Sequence, residues 1–149
     1  MSELHGGTVT FVFTDIEGST RLLERLGDRY AEALAEHRRI VRDAFGTRGG
    51  REPDTQGDAF FVGFPTATGA AAAAHAAQEA LAPGPVRVRM GLHTGTPMTT
   101  TEGYVGIDVH RGARIAALAH GGQLLLSSAT AALVGEEPVR DLGDTGSRT

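Results

Sequence analysis

The stretch Phe13-Thr14-Asp15-Ile16-Glu17-Gly18-Ser19-Thr20 decides how this chain is read. Upstream of it, Val9, Phe11 and Phe13 alternate with Thr8, Thr10 and Thr14, the period of a strand. Downstream, Leu22, Leu23 and Leu26, then Tyr30, Leu34, His37, Val41 and Phe45, recur at helical spacing with charges between them. Asp15 therefore stands where a strand ends and a glycine turn opens a helix. A second aspartate has a matching setting: Thr55-Gln56-Gly57-Asp58-Ala59-Phe60-Phe61 puts Asp58 in a glycine turn beside an apolar strand. Two such carboxylates can hold Mg²⁺ together, because that ion takes one or two protein carboxylates and completes its octahedron with water and phosphate oxygens. Each also has a plain structural reading, Asp15 as an acid favoured near a helix start and Asp58 as a turn former. Their pairing at two strand ends favours nucleotide chemistry over both.

The 149 residues make one domain, enough to bury roughly 70% of the unfolded surface on folding. A hydrophobic content of 40% and a charged content of 21% are those of a globular chain. A net charge of −4 argues against a nucleic-acid binder, which needs a basic stripe. Cysteine is absent, so there is no disulfide framework or thiolate metal site, which is compatible with a cytoplasmic location. Met1 to Gly7 lacks the pattern of a signal peptide. The alanine-rich run from Gly69 to Ala77 is far short of the ~20 apolar residues a membrane span needs, so no membrane partner is expected.

The helical stretch from Ser19 to Phe45 reads as one helix broken near Gly27, or two, and Gly46 to Gly50 ends it. A hairpin around Asp54 to Asp58 follows, with Phe60, Val62 and Phe64 alternating out of it. Thr66 to Ala82 reads as a helix that Pro83 to Pro85 terminates. Val86, Val88, Met90 and Leu92 alternate with Arg87 and Arg89, so the arginines are expected to face solvent or a partner subunit. His93 is expected to be a buried, hydrogen-bonded structural histidine. Thr96 to Gly106 reads as an exposed polar arm, Val109 to Ala119 as a helix, Gln123 to Leu126 as a short buried strand and Ala129 to Val134 as a further helix. Val139 to Leu142 reads as the start of a final strand. The order predicts an α+β fold, a ferredoxin-like βαββαβ sandwich with additional C-terminal elements: an antiparallel sheet with helices on one face. The domain is placed at 8–142, with 1–7 and 143–149 as flexible termini and the chain stopping inside a hairpin.

In Phe13-Thr14-Asp15-Ile16-Glu17-Gly18-Ser19-Thr20, Gln56-Gly57-Asp58-Ala59-Phe60, Met90-Gly91-Leu92-His93-Thr94-Gly95 and Gly106-Ile107-Asp108-Val109-His110-Arg111-Gly112-Ala113-Arg114-Ile115, the chain resembles the class III adenylate/guanylate cyclase catalytic domain. It is most like the divergent forms in actinobacterial signalling proteins. The resemblance spans Thr8 to Leu142 and implies the nucleotide cyclase fold. It further implies cyclisation of ATP, or of GTP, in which the ribose 3′-hydroxyl attacks the α-phosphorus and pyrophosphate leaves. Two Mg²⁺ or Mn²⁺ ions are implied, held by Asp15, Asp58 and the Ile16 carbonyl. Backbone N–H groups of Glu17, Gly18, Ser19 and Thr20 would cradle phosphates at a helix start. A homodimer sharing its sites is implied, the aspartates of one subunit facing the helix that carries the other's Arg114, the transition-state arginine.

This chain also departs from the family pattern. His110 stands where the family has a ribose-positioning asparagine; it can donate a hydrogen bond but is bulkier, which counts against full activity. The base-reading positions are Asp54, where adenylate cyclases carry lysine and guanylate cyclases glutamate, and Gly103, where an aspartate is usual. A carboxylate at 54 accepts hydrogen bonds only, which suits guanine's N–H edge. The family's phosphate-binding lysine falls beyond Thr149. The alternative reading is a cyclase-like nucleotide-binding or dimerisation module, within a larger signalling regulator, that has lost the chemistry.

Overall fold

β1 (Val9–Ile16) runs through the middle of the sheet, because its apolar residues have neighbours on both edges and both faces. The computed structural model describes residues 7–56, 59–100, 103–134 and 147–148. Antiparallel to β1 on one side lies β3 (Ala59–Phe64), with Phe13 opposite Phe61 and Thr14 opposite Phe60. On the other side lies β4 (Val88–Gly95), with Phe13 opposite Gly91 and Asp15 opposite Arg89. β2 (Arg51–Gln56) pairs with the outer edge of β3. Between β1 and β2 come α1 (Ser19–Leu26), a 3₁₀ turn at Gly27–Arg29 and α2 (Tyr30–Gly46), so the break expected near Gly27 divides two helices. α3 (Ala67–Leu81) joins β3 to β4, its start capped by Thr66, whose hydroxyl accepts the Gly69 N–H at 3.0 Å. This is the βαββαβ plan read from the sequence, with strand order β2-β3-β1-β4.

The additions extend the sheet. The threonine arm folds into a ribbon of β5 (Met98–Thr100) and β6 (Gly103–Val105). α4 (Ile107–Leu118) then leads to β7 (Leu124–Ser127), which pairs parallel to β4. α5 (Ser128–Val134) follows, and β8 (Ser147–Arg148) pairs antiparallel to β7 within the tail that was expected to be unordered. The strand expected at Val139 to Leu142 lies outside the described residues, as do the turn residues Gly57 and Asp58. No described helix is long and apolar enough to cross a membrane.

Two layers cover the sheet, which corrects the expectation of helices on one face. The main core packs Val12, Phe60, Val62, Phe64, Met90 and Leu92 under α2 and α3, where Ala70, Ala73, Ala74 and Ala77 let α3 lie close. On the opposite face Phe11, Phe13 and Phe61 cluster with Val109 of α4, the rings of Phe13 and Phe61 stacking at 4.5 Å. α4 is there because a parallel strand cannot follow β4 through a tight hairpin; the chain must cross over the sheet, and a helix does this. Two glycines set its approach. A Cβ on Gly91 would lie 2.4 Å from the Ala116 backbone nitrogen, and one on Gly112 would lie 2.3 Å from the Phe13 ring.

A chain of hydroxyls, buried except at the half-buried Thr94, ties β1, β4, β7 and α5 together. His93 Nδ1 meets Ser127 Oγ at 3.0 Å, Ser127 meets Thr130 at 3.0 Å, Thr130 meets Thr94 at 2.9 Å, and Thr94 meets Thr10 at 2.9 Å. His93 is thus the structural histidine its setting predicted, 7% exposed with its ring engaged.

Candidate active site

Asp15 does not stand alone at the end of β1. Its register partner on β4 is Arg89, and register partners project from the same face of a sheet. The guanidinium meets the carboxylate as a fork, Nε to Oδ1 at 2.6 Å and Nη2 to Oδ2 at 2.6 Å. The pair is partly exposed, 29% for Arg89 and 40% for Asp15. These hydrogen bonds hold Arg89 above even its ordinary high range; partial burial opposes them, and the charges of Asp15 and Glu17 add to them. Arg87 is exposed as expected, whereas Arg89 is partly buried against Asp15.

The turn after β1 needs its glycine. Gly18 sits at φ +63° and precedes α1, whose first turn has no side-chain cap and no acidic residue. The Glu17 N–H is already spent, donating to the Arg87 carbonyl at 2.8 Å. Of the backbone N–H groups expected to cradle phosphate from Glu17 to Thr20, that of Glu17 therefore already has an acceptor within the chain. The Glu17 side chain instead lies beside Gly121, whose Cβ position falls 2.7 Å from Glu17 Oε1.

Beside Asp15 opens a cleft of about 310 Å³ lined by Phe13, Thr14, Ala59, Phe60, Phe61 and, from α4, Ala113 and Ala116. Its floor is apolar and Asp15 is the acid at its mouth. The Phe60 N–H donates to Thr14 Oγ1 at 3.2 Å, tying the start of β3 to the end of β1. Asp58 lies outside the described residues, but Ala59, the next residue, lines the same cleft as Asp15. The donors are oxygens, a carboxylate and the strand-end carbonyl of Ile16, as a hard divalent cation requires. Arg89 already stands as a cation on that carboxylate. Among the described residues no three His, Cys, Asp or Glu side chains cluster as a closed metal site. The donor set fits an ion completed by water and phosphate, and does not fit a structural zinc.

The other expected residues lie elsewhere. On α4 the stripe of Val109, Gly112, Ala116 and Ala119 faces the sheet, which puts His110 and Arg114 on the opposite, exposed side of the helix. Ile107 and Leu118, 64% and 53% exposed, flank them on that outer side. Asp54 is on β2 opposite Phe61, and Gly103 is on β6 opposite Thr100; β2 and β6 are neighbours, so the strands carrying the two positions meet. The structure thus places Asp15 in the lining of the cleft, with Ile16 and the turn of Gly18 to Thr20 following it along the chain, and puts His110 and Arg114 on the exposed side of α4. Arg89 is the residue the sequence reading missed. Its signal was its place on β4, in step with Asp15 once the two strands are paired.

Residues 2–141 match the adenylate and guanylate cyclase catalytic domain family. An uncharacterized protein of Mycobacterium tuberculosis is 43% identical over 131 residues, covering 86% of this chain and 45% of its own length. An adenylate cyclase of Podospora anserina is 34% identical over 153 residues, covering 82% of this chain and 7% of its own length. The chain therefore spans under half of the length of these relatives. A solved Trypanosoma brucei adenylate cyclase, in its monomeric state, superposes with a TM-score of 0.84 at 27% identity, covering 92% of this chain and 82% of that one. With a cleft built at the strand ends that carry its first two motifs, and its fourth motif on the helix across the sheet, the chain belongs to the class III adenylate and guanylate cyclase catalytic domain family.

Proposed function

We propose that two copies of this chain cyclise a purine nucleoside triphosphate, ATP or GTP, to a 3′,5′-cyclic nucleotide and pyrophosphate, in the cytoplasm and at modest rate. The observation that carries this reading is the carboxylate of Asp15 at the mouth of an apolar cleft, beside an uncapped helix start. Asp15, Asp58 and the Ile16 carbonyl hold two Mg²⁺ or Mn²⁺ ions. Bound there, the ions supply Lewis-acid stabilisation of phosphate charge and a more acidic ribose hydroxyl. Gly18, Ser19 and Thr20 offer backbone N–H groups to phosphate oxygens, which the positive end of α1 favours.

A second copy completes the site. His110 and Arg114 point away from their own cleft, so they serve the cleft of a partner. There Arg114 meets the charge that builds on the α-phosphoryl oxygens as the 3′-oxygen bonds to phosphorus and the bond to pyrophosphate breaks. His110 orients the ribose through a ring N–H, a poorer fit than a smaller amide, and this limits the rate. Asp54 accepts from the base, which favours GTP, while Gly103 adds no side chain to the choice. Cyclic-nucleotide formation from ATP and from GTP with excess Mn²⁺ tests this, with Asp15→Ala alongside. The expected result is product from the parent chain and a loss of at least about a hundredfold in the variant, the usual effect of removing a group that holds transition-state charge in place. A folded dimer that yields no product from either triphosphate, yet is thermally stabilised by them, would instead be a binding module.

A further inference from the structure

Asp15 and Arg89 face each other across adjacent strands and share two hydrogen bonds of 2.6 Å. Every oxygen that Asp15 offers to a metal is therefore already in contact with a cation. A carboxylate has lone pairs to spare, so the fork alone does not exclude an ion. Charge does, because a dication on either oxygen stands within a few ångströms of the guanidinium, and like charges at that separation repel strongly in a half-buried site. We propose that Arg89 is a positioning residue that acts as a stand-in cation: it holds the Asp15 carboxylate aimed and neutralised in the metal-free chain and yields it to the incoming divalent ion. The inference rests on reading Asp15 as a metal ligand.

Partial exposure makes the exchange workable. A fully buried ion pair would resist opening, whereas a pair this exposed is weak enough for a metal to displace. The neighbourhood favours exchange as well. The negative charge of Glu17, two residues beyond Asp15, also favours the charged guanidinium. The Arg89 stem stays fixed on β4 by its strand pairing, so the exchange needs only side-chain rotation.

Mn²⁺ binding to the nucleotide-free chain, followed by electron paramagnetic resonance, tests the exchange without any reading of activity. Arg89→Gln should bind Mn²⁺ several-fold to about tenfold more tightly than the parent, the range expected from removing one partly exposed competing charge. Arg89→Lys, which keeps the charge but loses the fork, should show a smaller gain, and Arg87→Gln, an exposed arginine two residues away, no change. In the parent chain, titration with Mg²⁺ should move the Arg89 Nε–H resonance in step with binding; this measurement does not depend on any variant folding. An Nε–H signal unmoved at saturating Mg²⁺, or an Arg89→Gln chain that binds Mn²⁺ no better than the parent, overturns the proposal. Asp15→Asn separates the two readings. If it abolishes Mn²⁺ binding while Arg89→Gln changes nothing, only the exchange fails; if it leaves binding intact, the metal reading fails and the exchange with it.

Discussion

Gly91 and Gly112 show how single atoms place the site. Both lie where α4 crosses the sheet, but their neighbours differ. A Cβ at 91 meets the Ala116 backbone, which moves only if the whole helix moves, whereas a Cβ at 112 meets the Phe13 ring, which can turn. Overpacking costs about 1–3 kcal/mol, and alanine in place of glycine inside a helix returns about 0.5–1 kcal/mol. Gly91→Ala should therefore lower the urea midpoint clearly, and Gly112→Ala by much less; equal losses would mean that the ring is as immobile as the backbone. Such contacts are hard to read from sequence, because they depend on which strand and helix meet rather than on any local pattern. Arg89 is the same case. Alternation placed it on the polar side of its strand, but its partner Asp15 lies 74 positions away, and only the pairing of β1 with β4 reveals it. Asp15 was legible because its signal is local, a strand period giving way to a glycine turn and a helix period. His93 was legible for a similar reason, as the polar residue closing an apolar strand.

At the scale of elements, β1, β3, β4 and the helices between them were readable because each carries a full period of its own, whereas β2, Arg51-Glu52-Pro53-Asp54-Thr55-Gln56, has none and was expected only as part of the hairpin around Asp54 to Asp58. The crossover was harder. α4 was found as a helix, but its side of the sheet follows from the parallel pairing of β7 with β4, which no single segment announces. The C-terminal pairing of Ser147 and Arg148 with β7 was likewise invisible in a polar tail. α3 offers a test of local logic: its Thr66 cap holds the Gly69 N–H on an alanine-rich helix that forms part of the main core. Thr66→Ala should cost about 1 kcal/mol in chemical denaturation. No loss would show that the tertiary packing of α3, rather than its cap, sets where the helix begins.

For the whole molecule, the separation of Asp15 from the outer side of α4 is what matters. One copy carries a cleft with a carboxylate at its mouth, and on another side a helix face bearing His110 and Arg114 between exposed Ile107 and Leu118. In the dimer proposed above, a two-fold pairing would set each face against the other copy's cleft and make two complete sites. The decisive measurement mixes Asp15→Ala and Arg114→Ala chains, each folded and each inactive alone, and assays cyclic-nucleotide formation with Mn²⁺. Random pairing puts one intact site in each mixed dimer, so the mixture should recover about a quarter of the parent turnover. A mixture as inactive as its components, under conditions where the parent chain is dimeric and active, would contradict a site shared between copies.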